Sequence, residues 1–157
     1  MAKKDNVKPW DFLAEYKGEF FKGEWPTLVE MFNITCARHP DNRCFTSFAP
    51  QELILTYKEA QDKIIQVADY LASQGVTKGV NVAVTGKNSP EWAIAYLAIL
   101  YSGATVVPLD YQLTNKEIEN LLAFAGVSLL FIDKEKMDKI DKKNTLGIQE
   151  KISLEPG

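Results

Sequence analysis

The stretch best equipped for chemistry is NVAVTGKNSPEW, residues 81–92. A β-rich run, Asn81 to Thr85, meets Gly86-Lys87, and a helix start follows at Ser89-Pro90-Glu91. Strand, glycine turn, lysine and helix are the outline of a loop that cradles nucleotide phosphates. The details do not fit that outline. A Walker loop needs an earlier glycine and a Ser or Thr after its lysine, but those places hold Asn81 and Asn88. The dinucleotide fingerprint needs several glycines between strand and helix, and Gly86 stands there alone. Glu91 falls in the first helical turn, where its charge already complements the positive helix end that a phosphate would use. Ser89 as cap, Pro90 at the first helical position and Glu91 behind it make a structural helix start.

Asp110 and Asp133 follow two other β-rich runs, at the edge where open parallel sheets keep their sites. Two acids there could hold Mg²⁺, as in a phospho-acceptor receiver domain. A receiver carries an acidic pair after its first strand, and Gly86-Lys87 stand in that place. Both acids read as turn residues and helix caps. The only cysteines, Cys36 and Cys44, make no metal-binding pair, and His39 is the single histidine. A zinc set and a nucleophilic triad are therefore both unsupported. Trp92, Tyr96, Tyr101 and Phe124 read as core. No residue is assigned a catalytic, cofactor-binding or metal-binding role.

The elements that would position these residues follow from period and caps. Pro26 opens a helix to about Arg38, with Leu28, Val29, Phe32 and Cys36 on one side. Residues 44–48 and 53–55 form a short antiparallel hairpin. Thr56 and Glu59 make a capping box for a helix to about Gln74, buried through Tyr57, Ala60, Ile64, Val67, Ala68 and Leu71. Strands are expected at 80–85, 104–109 and 127–132. A helix apolar on nearly every side spans 90–102. A second capping box, Thr114 and Glu117, starts a helix with Ile118, Leu121, Leu122 and Ala125 inward. The fold class is α/β: a parallel sheet with right-handed βαβαβ crossovers, helices on both faces and a short N-terminal hairpin. Residues 1–24, with Trp10, Phe12, Tyr16, Phe20 and Phe21, read as an arm that lies on the body. Residues 25–140 read as a partial α/β domain and 141–157 as a polar, poorly ordered tail.

The chain of 157 residues has 46% apolar and 25% charged residues and a net charge of −3. That balance, with no basic stripe, gives nucleic acid no footprint. The uncharged run Trp92–Leu109 is broken by Ser102-Gly103, so it reads as buried helix then buried strand rather than a membrane span. The first residues lack the apolar core of a signal peptide. With two reduced thiols, a cytoplasmic location is expected.

Read in order, LTYKEA, GVNVAVTGKNSPEWAIAYLAILYSGATVVPLD and LTNKEIENLLAFAGVSLLFID resemble the N-terminal part of the AMP-forming acyl-CoA synthetases. These belong to the adenylate-forming superfamily. Asn88-Ser89-x-Glu91-Trp92, Gly103-Ala104, Val107-Pro108-Leu109 and Leu113-Thr114-x-x-Glu117 carry the likeness as an ordered set over Leu55 to Asp133. The family commonly has Asp at the place of Asn81 and Asn-Pro at Asp110-Tyr111. The long arm with its aromatics and the Asn-Ser-x-Glu-Trp form look most like those of the long-chain fatty acid–CoA ligases. The resemblance implies ATP, Mg²⁺ and CoA as co-substrates of a full-length enzyme, with a fatty acid as substrate. The family's Ser/Thr/Gly-rich phosphate loop, with its following Pro-Lys, does not occur in these residues. The chain therefore reads as an N-terminal segment of a longer ligase, inactive alone, whose partner is the remainder of its own chain. Self-association through uncovered surface is expected, and peripheral membrane contact is left open. The rival readings are a binding or interaction module on the same scaffold, and a receiver-like signalling domain.

Overall fold

The computed structural model describes residues 26–49 and 52–155. The aromatic arm, residues 1–24, lies outside the described residues. Three helices start in the same way, each where the sequence offers Thr-x-x-Glu. In α1 (Leu28–Arg38), α2 (Tyr57–Ser73) and α4 (Asn115–Ala125) the caps are Thr27, Thr56 and Thr114. Each threonine hydroxyl accepts the backbone N–H of the glutamate three residues on. That carboxylate in turn accepts the cap's own N–H, at 2.7, 2.8 and 2.8 Å. Two orphan donors are satisfied by each box. Pro26 stands one residue before the first cap. Helix α4 ends at Gly126, whose φ of +57° lies in the left-handed region that favours glycine.

Strands β1 (Arg43–Ser47) and β2 (Leu53–Thr56) pair as an antiparallel hairpin. The main sheet is parallel throughout. Its strands are β3 (Asn81–Thr85), β4 (Thr105–Pro108), β5 (Leu129–Ile132) and β6 (Glu150–Ser153), in the order β4-β3-β5-β6. Val82 lies beside Val106 on one side and Leu129 on the other. Helix α3 (Pro90–Tyr101) carries the chain from β3 out to β4, and α4 brings it back past β3 to β5. The two helices take opposite faces as the direction of travel reverses, which one crossover hand requires.

Side-chain alternation in the strands divides the core into two layers. Val82, Val84, Leu129 and Phe131 pack with Ile64 and Leu71 of α2 and Ile94, Ala98 and Ile99 of α3. Ala83, Leu130 and Ile132 pack on the other face with Ile118 and Leu122 of α4 and with Ile140 and Ile148. A sheet covered on both faces needs apolar residues at successive positions, and every residue of β5 is buried. No residue of α3 is exposed, in keeping with its apolar surface on all sides.

Two expectations are corrected. Residues 141–157 are not a poorly ordered tail through the described part, because β6 at Glu150–Ser153 pairs with β5 and Ile148 and Leu154 are buried. The strand's sequence, EKIS, is polar at three of four positions, as an outer strand of the sheet tolerates, and that concealed it. The second correction concerns α4. Phe124 is 92% exposed and Leu121 is 40% exposed. The stripe through Ile118 and Leu122 fills the sheet-facing side, and Phe124, two residues on, turns about 200° away from Leu122.

The capping boxes make stability depend on acid pH. The carboxyls of Glu30 and Glu59 are held below their usual value of 4.5, first by the cap's backbone N–H. That of Glu117 is lowered first by the Thr114 hydroxyl. A folded-state value below the unfolded one adds stability above the unfolded value and loses it as pH falls through the folded one. Urea denaturation should therefore show stability falling as pH drops below about 4.5. The triple variant Glu30→Gln, Glu59→Gln, Glu117→Gln should show a flatter profile in that window.

Candidate functional site

The carboxyl edge of the sheet is where the sequence places its candidate residues, and three loops meet there. Strand β3 sends its chain toward β4, while β5 sends its chain the other way, toward β6. Between such diverging strands, open α/β sheets leave a crevice for ligands. Here Asp133 fills it. Its Oδ2 accepts the backbone N–H of Lys87 at 3.0 Å. A Cβ at Gly86 would lie 2.5 Å from Asp133 Oδ1 and 2.6 Å from a methyl of Leu154. Gly86 is therefore small because a carboxylate and a core leucine press on it. The phosphate-loop outline is real as local shape, but a side chain of the same protein takes the anion's place.

The rest of the turn is equally committed. Ser89 accepts the N–H of Trp92 at 3.0 Å, Pro90 takes the first turn and Glu91 lies beside it. Asp110 accepts the N–H of Gln112 at 2.8 Å, closing a turn on its own backbone. Asp133 sits at the N-cap position of α5 (Lys134–Met137), yet its carboxylate makes no cap bond and reaches to Lys87 instead. The structure therefore does not bring Asp110 and Asp133 together as a metal pair. No group of three or more metal-ligating side chains occurs among the described residues.

Around this point lies a polar cluster that sequence reasoning missed. The Lys87 ammonium pairs with Glu135 at 3.2 Å. The Tyr111 hydroxyl donates to the same carboxylate. The ammonium groups of Lys87 and Lys136 stand 5.4 and 4.4 Å from the Tyr111 ring centre. Lys136 also donates to the carbonyls of Tyr111 and Leu113. The hydrogen bond from Tyr111, then that from Lys87, holds the Glu135 carboxyl below its usual value. The bond to Glu135 raises the Lys87 ammonium and the Tyr111 hydroxyl. All three groups are open to water, so the cluster fixes loop positions more than it stabilises. Only proximity in the fold unites these residues, and no spacing in the sequence marks them.

Beside the cluster is an open cleft of about 480 Å³, walled by Gly86–Asn88, Trp92 and residues 108–112. Its walls hold no Ser, Cys or His, so they offer no activated nucleophile. The residues present do not fit a triphosphate with its magnesium. The loop N–H of Lys87 is spent on Asp133, and the Lys87 ammonium on Glu135. Thr85, the last residue of β3, is fully buried, and its hydroxyl has no hydrogen-bond partner among the described residues.

A family model described as AMP-binding enzyme matches residues 32–155. The chain belongs to the AMP-binding enzyme family. A long-chain-fatty-acid–CoA ligase of Bacillus subtilis is 31% identical over 151 residues, covering 94% of this chain and 26% of that protein. A linear gramicidin synthase of Brevibacillus parabrevis is 34% identical over 108 residues, 69% of this chain and 1% of its own length. A solved Mycobacterium tuberculosis fatty acyl CoA synthetase superposes with a TM-score of 0.73 at 20% identity, over 80% of this chain and 26% of that one. That likeness establishes the fold alone, a parallel sheet flanked by helices with a two-stranded hairpin beside it. The chain spans about a quarter of the Bacillus ligase and of the Mycobacterium synthetase.

Two substitutions separate the pressures at the loop. Gly86→Ala should destabilise the protein by about 1–3 kcal/mol through forced overpacking. Thr85→Val, nearly isosteric, should be neutral or stabilising by up to about 1 kcal/mol because it removes an unpaired buried hydroxyl. Thermal and urea denaturation of the two variants check both signs.

Proposed function

We propose that this chain is the N-terminal scaffold of an AMP-forming ligase that activates a fatty acid with ATP and passes it to CoA, and that it has no catalytic activity alone. The observation that carries the reading is the crevice closed by Asp133 against Gly86 and Lys87. The turn that has the outline of a phosphate loop is used for structure. Catalysis of adenylation must meet charge developing on the transferring phosphate with placed donors, and this segment has none to spare there. In this reading the donors, the Mg²⁺ ligands and the CoA site come from the remainder of the ligase chain.

The fatty-acid assignment rests on relatives. Besides the Bacillus ligase, long chain acyl-CoA synthetase 2 of Arabidopsis thaliana is 37% identical over 86 residues. The likeness to the gramicidin synthase supports the coarser step, activation of a carboxylate. Strands β4 and β6 are the outer strands of the sheet, so each leaves backbone N–H and C=O groups for further strands. That suits a scaffold continued by its own chain. A cytoplasmic setting is part of the reading. Cys36 and Cys44 are unpaired, and burial pushes both thiols up to about 11, so both rest as neutral thiols. No described helix is long and apolar enough to cross a membrane.

Pyrophosphate exchange tests the proposal. With ATP, Mg²⁺ and a long-chain fatty acid, this chain alone should stay at the buffer blank. The longer gene product should form acyl-CoA from the same mixture. Exchange by this chain above the blank would overturn the scaffold reading, and a longer product that rejects fatty acids would overturn the substrate.

A further inference from the structure

On the far side of α3 from the sheet, α1, β1 and α3 enclose an apolar groove of about 380 Å³. Leu28, Met31, Phe32, Phe45, Trp92 and Tyr96 are among its walls. Trp92 and Tyr96 stack with ring centres 5.4 Å apart. The rim is unusually bare for large apolar side chains, with Leu28 53% and Met31 42% exposed. Apolar surface of this kind on a folded unit marks a place that something covers.

We propose that the groove is the docking site of residues 10–21 of the same chain, held there by Phe20 and Phe21. Three observations favour this occupant. The groove begins at Leu28, seven residues after Phe21, and such a link reaches at most about 25 Å. The covering segment is aromatic, with Trp10, Phe12, Tyr16, Phe20 and Phe21 in twelve residues, and aromatic rings suit a groove walled by Phe, Trp and Tyr. A short tether also presents the segment at a high effective concentration, which a separate partner would have to exceed. Once seated, the segment buries the exposed rim of α1 and locks α1 onto α3. The hydroxyl of Tyr101 and the side chain of Gln61 already meet on Asn33 of α1 from the other side.

Cys44 lines the groove and supplies a native reporter. In the full chain, Phe21→Cys should form an intramolecular disulfide with Cys44 under mild oxidation, mapped by peptide mass. The control is Phe124→Cys, a substitution on the exposed outer side of α4. Relative to that control the rate should rise on the order of a hundredfold, the gain expected of a tethered pair. A yield no greater than the control overturns the proposal. So does a Cys44 disulfide formed mainly between chains, which would make a second copy the occupant. A second measurement needs no new cysteine. Phe20→Ser with Phe21→Ser should speed maleimide labelling of Cys44 and leave buried Cys36 unchanged. Equal rates at Cys44 in the parent and the double variant would also overturn it.

Discussion

The fold turns on one contact, the carboxylate of Asp133 laid over Gly86 and bonded to the N–H of Lys87. It joins the ends of β3 and β5, the two central strands, at the point where their connections diverge. Everything near it is arranged in consequence. Position 86 has no side chain because Asp133 and Leu154 occupy the space. Leu154 follows β6, so the last strand is keyed to the same spot. Lys87 and Glu135, on the loops that the contact brings together, can then reach each other and Tyr111.

This explains why the stretch has the outline of a phosphate loop while its Lys87 N–H is already bonded to Asp133. Strand, glycine and helix start are what any tight βα turn at a sheet edge requires. A ligand site needs, in addition, donors left over after the protein's own groups are satisfied. Here a neighbouring carboxylate takes the donor, and the helix start is balanced by Ser89 and Glu91. In the proposed reading, the nucleotide chemistry belongs to other parts of a longer ligase.

The sequence displayed the parts governed by local rules. Three Thr-x-x-Glu strings became three capping boxes. The apolar runs of β3 and β5 became the double-covered centre of the sheet. What it hid was set by tertiary position. Strand β6 is an edge, so Glu150 and Lys151 need not be apolar, and Lys151 instead donates to the carbonyls of Met137 and Ile140. Phe124 is apolar and faces outward, so composition misplaced it. The bond from the Lys87 amide to Asp133 could not be read from residue types. A carboxylate 46 residues from the amide it bonds leaves no local signature.

A β3–α3 turn filled from within takes no phosphate, and the amide chemical shifts of Gly86, Lys87 and Asn88 report on it directly. As ATP with Mg²⁺, or pyrophosphate alone, is titrated into this chain, these three amides are expected not to move. A saturable shift at Lys87, showing its N–H released from Asp133 to a phosphate oxygen, would contradict a turn closed by its own carboxylate.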